Sequence, residues 1–153
     1  MLRLSKRTDY ALIAMRHLAL NTDRSSSSAR EIAEAYNVPV ELLAKVLQRL
    51  VRQGLLASHQ GINGGYELAR PAARISVANV IEAIDGPLTV TACSEVDESC
   101  DQFTRCNIRD PLWRIKDRIV QALTTCSIQE MTVESLPGAA VAMSISPRPA
   151  TPA

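Results

Sequence analysis

No stretch of this 153-residue sequence approaches the ~18 consecutive apolar residues that would cross a bilayer, which excludes a helical membrane protein. Residues 1–7 carry charges and run straight into an amphipathic pattern. There is no apolar signal segment and no small-residue cleavage site, so the expected compartment is the cytoplasm. The sequence has no Cys-x-x-Cys pair and no alternation of strands and helices to carry one, which argues against a thiol oxidoreductase. A non-enzymatic chain with no small-molecule substrate is expected. There is no internal repeat, and the length allows one domain with an appended element. The only two histidines, His17 and His59, read as structural or surface imidazoles.

The net charge of +1 conceals an uneven distribution. Residues 1–80 hold eleven Lys and Arg against six Asp and Glu, a net +5, and residues 81–153 hold a net −4. The basic half suits a polyanion such as DNA. Four cysteines in a reducing compartment do not form a disulfide framework. Three of them fall within residues 93–106, and that clustering points to metal or redox chemistry.

Apolar residues at helical spacing predict a helix over 8–20 (Ala11, Leu12, Met15, Leu18, Ala19). Ser28 and Glu31 form a capping-box signature for a second helix ending at Tyr36. Asn37 and Val38 make a turn, and a third helix follows from Pro39 to Gln53, closed by Gly54. Residues 55–58 and 66–69 read as strands joined by Gly61-Ile62-Asn63-Gly64-Gly65, whose glycines are expected to supply positive φ angles. Ser76 caps a helix over 77–84 that Gly86 stops. Helix, turn, helix and hairpin make residues 1–86 a winged helix-turn-helix, so the fold is mainly α with a small β hairpin. Residues 87–108 form a cysteine-bearing loop. Residues 109–135 hold a long helix and a short following one, and 136–153, rich in Pro, Ala and Ser, are expected to be disordered. On the long helix Leu112, Ile115, Ile119, Ala122 and Cys126 recur near a 3.5-residue spacing, the pattern of a homodimer seam.

On the third helix Glu41, Ala44, Lys45, Gln48, Arg49 and Arg52 lie off the apolar stripe. Glu41 and Lys45 are candidates for base edges, and Gln48, Arg49, Ser5 and Lys6 for phosphates or outer base edges of double-stranded DNA. Pro39 enters the same helix. Gln60, Asn63 and Gly64 at the wing tip allow close approach to a minor groove or phosphate. The alternative is an ordinary solvated helix face beside a tight turn. Cys93, Cys100 and Cys106 stand in a C-x6-C-x5-C spacing, whose soft sulfurs suit an iron–sulfur cluster, zinc or copper(I). Zinc is the weaker metal, because close cysteine pairs are absent. Free loop thiols remain an alternative, three cysteines being short of the four ligands usual for a cluster. Cys126 reads as a small buried apolar residue.

The segments Leu4-Ser5-Lys6-Arg7-Thr8-Asp9-Tyr10-Ala11-Leu12, Gly61-Ile62-Asn63-Gly64-Gly65-Tyr66-Glu67-Leu68-Ala69-Arg70, Ile75-Ser76-Val77 and Ile81-Glu82-Ala83-Ile84-Asp85-Gly86, with three cysteines ahead of Leu112-Trp113, carry a resemblance. Over residues 1–135 the chain resembles the IscR/NsrR/RirA family of winged-helix iron–sulfur transcriptional regulators, most of all those of the Suf system. The resemblance implies a homodimer joined through the long helix, a cluster bound near that helix, and control of cluster-assembly, iron or nitrosative-stress genes. Members with a 2Fe–2S cluster place a histidine three residues after the last cysteine. Here that position is Arg109, whose guanidinium stays protonated, so 4Fe–4S is favoured over 2Fe–2S. Asp9 matches the carboxylate that nitric-oxide sensors of the family offer to a 4Fe–4S cluster, although an acidic first-turn residue also suits a helix dipole. Gln60 stands where the family usually has an arginine for the minor groove. The expected function is a repressor of Suf- or Isc-like assembly genes. The alternatives are a nitric-oxide-responsive repressor of nitrosative-stress genes and, from another class, a metal-free winged-helix protein-interaction module.

Overall fold

Short polar side chains mark where the helices begin. Ser5, Ser28, Ser76 and Ser127 each accept a first-turn backbone N–H at 3.1–3.2 Å. At the last three, Glu31, Asn79 and Glu130 reach back to the serine N–H and complete a capping box. Each such cap stabilises its helix by about 1 kcal/mol. The computed structural model describes residues 3–89 and 100–133. Cys93 and the tail 136–153 lie outside them.

Helix α1 (Lys6–Leu20) buries Thr8, Ala11, Ala14, Met15 and Leu18. It starts two residues before the predicted position, because Ser5 is the cap. Helix α2 (Ala29–Tyr36) ends at Asn37, whose φ of 52° is left-handed. Helix α3 (Val40–Arg52) follows at once, entered through Pro39 with its φ of −59° and burying Leu43, Val46, Leu47 and Leu50. Gly54, at φ +73°, turns the chain into the wing.

The wing pairs β1 (Leu56–His59) with β2 (Gly65–Leu68), antiparallel, Ser58 opposite Tyr66 and His59 opposite Gly65. Tyr66 also exchanges two backbone hydrogen bonds with Ser27, at 3.0 and 2.8 Å, which holds the hairpin against the segment ahead of α2. This pairing corrects the reading of the glycines, of which only Gly61 at the tip has a positive φ. Gly64 and Gly65 are required by contact: a Cβ would stand 2.5 Å from the His59 carbonyl oxygen and 2.6 Å from Ser27.

Helix α4 (Val77–Asp85) is buried along most of its length, stops at Gly86 and packs on α1 and α3. Helix α5 (Arg109–Thr125) has no buried residue. Cys126, expected to continue its stripe, is instead its extended C-cap, with φ −76° and ψ 114°. From there the chain returns: the Cys126 carbonyl accepts from Val77 N–H at 2.9 Å and Ile128 N–H donates to the Ile75 carbonyl at 2.8 Å. Helix α6 (Ile128–Thr132) then places Ile128 fully in the core. Burying one such side chain contributes about 1.5–3 kcal/mol. The fold is the mainly helical winged arrangement expected. Among the described residues no helix is long and apolar enough to cross a membrane.

Candidate nucleic-acid interface and thiol turn

The apolar stripe of α3 faces inward, so the remaining positions must face solvent. Glu41, Lys45, Gln48, Arg49 and Arg52 are all exposed. This side of α3 stands as a ridge between two concavities. One, of about 320 Å³, runs towards α1 and α4 and is lined by Arg7, Lys45, Gln48, Arg49 and Arg52 over Leu42, Val46 and Ile84. The other, of about 500 Å³, runs towards the wing and is lined by Gln48 and Arg52 together with Ser28, Ser58, His59 and Gln60. Four cations and no carboxylate line the first groove, an arrangement suited to the phosphates of a duplex.

Arg7 was not singled out in the sequence. Its signal was available, since Arg7 is a cation in the first turn of a helix, where it opposes the helix dipole and is favoured by an anion from outside. Arg49 donates from Nε to the Ala83 carbonyl at 2.8 Å, which fixes its guanidinium at the groove wall. Lys6 lies in the open, 3.7 Å from Asp9 and 5.8 Å from the Tyr10 ring. Pro39 is exposed at the α3 entrance, and Gln60 and Asn63 are exposed at the wing. The Asn63 carbonyl accepts from Ser26 Oγ at 3.0 Å, steadying the tip that Gly64 keeps close-packed.

Ser5 is half-buried and turned towards Asp85, which is exposed at the end of α4. Its Oγ donates to Asp85 Oδ1 at 2.6 Å and its N–H to Oδ2 at 3.2 Å, and Thr8 Oγ1 donates to Oδ2 at 2.8 Å. Burial works to raise the Asp85 pKa. The hydrogen bonds from Ser5 and Thr8, with the charge of Arg49, outweigh it and hold the carboxyl below its ordinary value. The last turn of α4 thus ties the start of α1 to α3.

Cys100 and Cys106 flank a short turn just ahead of α5, closed by Phe103 N–H to the Cys100 carbonyl at 2.8 Å. Both are free thiols, Cys100 exposed and Cys106 half-buried. Two accessible soft donors six residues apart fit a thiolate-bound iron–sulfur group in chemistry and reach. Asp9 is partly exposed in the first turn of α1. Among the described residues, which leave out Cys93, no three potential ligands converge. Arg109, three residues after Cys106, presents a guanidinium, which stays protonated and cannot ligate iron. Burial, and secondarily the neighbouring Glu130, raises the Cys126 pKa. On α5, Leu112 and Ile119 are half-buried, and Ile115 and Ala122 are exposed.

The Rrf2 family profile, described as an iron-dependent transcriptional regulator, matches residues 4–134. The chain is 34% identical over 131 residues to the HTH-type transcriptional regulator IscR of Xenorhabdus nematophila, covering 85% of this chain and 79% of that protein. Among solved structures it is similar to CymR, the global cysteine regulator of B. subtilis (TM-score 0.73, 26% identity, 86% of this chain and 97% of that one). It is also similar to T. potens IscR (TM-score 0.66, 25% identity, 85% of each).

Proposed function

The chain belongs to the Rrf2 family of transcriptional regulators, and from that premise we propose that it is an operator-binding repressor whose affinity for DNA follows the state of an iron–sulfur cluster. The observation that carries the DNA reading is the ridge of α3 beside a groove lined by Arg7, Lys45, Arg49 and Arg52. Arg7, Arg49 and Arg52 neutralise phosphates, and Glu41, Lys45 and Gln48 meet base edges in the major groove. Gln60, Asn63 and Gly64 bring the wing backbone to the adjacent minor groove. Two such heads are needed for a palindromic site. The α5 stripe of half-buried Leu112 and Ile119 and exposed Ile115 and Ala122, ending beside Cys126, supports pairing with a second copy in the cytoplasm.

Cys93, Cys100 and Cys106 hold the cluster, with Asp9 as the oxygen ligand and 4Fe–4S favoured because position 109 offers no imidazole. When bound, the cluster supplies a centre that iron supply, oxidants or nitric oxide alter. The protein's part is mechanical. Residues 87–108 connect α4 to α5, so tying them down fixes α5 against α4. Asp85, gripping Ser5 and Thr8, and Ala83, gripping Arg49, pass that placement to the DNA-reading face. The genes controlled are those of Suf- or Isc-like cluster assembly.

Oxygen-free purification tests the reading. Wild-type protein is expected to be brown, with iron and labile sulfide, and Cys106→Ser colourless. Operator binding followed by fluorescence anisotropy is expected to weaken steeply with salt. Colourless wild-type protein sinks the cluster, and a flat salt response sinks the groove.

A further inference from the structure

Arg109 opens α5 three residues after Cys106 and reaches back over the turn that carries two of the loop cysteines. Its Nη1 donates to the Phe103 carbonyl at 3.1 Å, and its Nε donates to Asp110 Oδ1 at 3.1 Å. The guanidinium carbon lies 4.7 Å from the centre of the Phe103 ring and 5.8 Å from that of Trp113. Within the turn, Phe103 N–H donates to the Cys100 carbonyl at 2.8 Å and Arg105 N–H to the Gln102 carbonyl at 3.0 Å. Asp101, Gln102, Thr104 and Arg105 are exposed, and no residue from 100 to 108 is buried. Arg109 itself is sheltered, its side chain 29% exposed.

We propose that Arg109 is a positioning residue: it clamps the turn between Cys100 and Cys106 onto the first turn of α5, so that both sulfurs are set against the helix before any cluster arrives. This role rests on the cluster reading given above. A planar guanidinium stacks on a ring while donating in its own plane, which an ammonium group does not reproduce. Asp110 fixes the plane, Phe103 offers both ring and carbonyl, and Trp113 bounds the outer side. Ordering the turn in advance removes part of the entropy cost of gathering ligands. Partners behind a ligand typically change metal affinity by about 10–100-fold.

The test uses the full chain with Arg109→Ala, Arg109→Lys and Phe103→Leu. In metal-free protein, hydrogen–deuterium exchange at residues 103–106 is expected to quicken about tenfold or more in Arg109→Ala, with the melting of the winged domain unchanged. After oxygen-free reconstitution, iron release to a chelator is expected to quicken about tenfold or more. Arg109→Lys should fall nearer to the alanine variant than to wild type, and Phe103→Leu between the two. Wild-type exchange and wild-type iron release in Arg109→Ala overturn the clamp alone. If the wild-type chain itself takes up neither iron nor sulfide, the cluster reading falls and this role falls with it.

Discussion

The winged head and the α5 segment are built on opposite terms. The head closes on itself: α1, α3 and α4 share Met15, Leu43, Leu47 and Val80, all with essentially no exposure, and capping serines mark three of its four helix starts. Helix α5 is longer than any of them, packs against α4 and has no fully buried residue. A helix with an apolar stripe and no core is stabilised from outside its own chain, or by what is bound at its end. One region therefore specifies a shape by itself, and the other is the region that the proposed second copy and cluster would complete.

That contrast can be attacked in descending order of effect. Leu47→Ala, which opens a cavity at the centre of the head, is expected to cost about 2–5 kcal/mol in urea unfolding. A loss no greater than that of a surface substitution would mean the head is not the closed unit described. Arg7→Ala combined with Arg52→Ala leaves the head folded. Together they should lower operator affinity at least tenfold and reduce the salt slope by about one for each phosphate left without its cation. An unchanged slope would remove these two residues from the phosphate groove.

Asp85→Asn should cost about 1 kcal/mol, the scale of a lost cap. Its pH dependence has a definite sign. The folded carboxyl has a lowered pKa, so its contribution is present above the unfolded value and is lost as pH falls through the folded one. The gap between wild type and Asp85→Asn is expected to be full at pH 7 and to shrink below about pH 4. A gap constant with pH would show that the carboxylate charge is not what grips Ser5 and Thr8. Smallest of all, Ile115→Ala should alter the unfolding of the head by less than about 0.5 kcal/mol. It should also weaken self-association in sedimentation velocity. A large loss of head stability from Ile115→Ala would erase the distinction between the two regions.

The same division governs how much was legible in the sequence. Elements of the head announce themselves locally, through Ser28 with Glu31, the Leu43–Leu50 stripe, and Gly54 and Gly86 at helix ends. The unread features depend on contacts distant in the chain. Gly65 is a glycine because of Ser27, Arg7 matters because it shares a groove with α3, and Ser5 is occupied by Asp85, eighty residues on. Cys126 was misplaced because helical periodicity gives no warning of the extended cap that sends Ile128 home. For the thiol turn, cysteine spacing showed the donors, whereas the brace from Arg109 depends on side-chain packing that spacing does not encode.

The return through Cys126 and Ile128 has a mechanical corollary. Because the chain just beyond α5 is pinned to α4 and the core, and Arg16 Nε donates to the Met131 carbonyl at 2.7 Å, the long helix is a strut anchored to the head at its C-terminal end. The strut is about 25 Å long at 1.5 Å per residue, so a 10° tilt moves its free end by about 4 Å. Conversely, a displacement of a few ångströms where the thiols sit is geared down to a small rotation of the body that touches DNA.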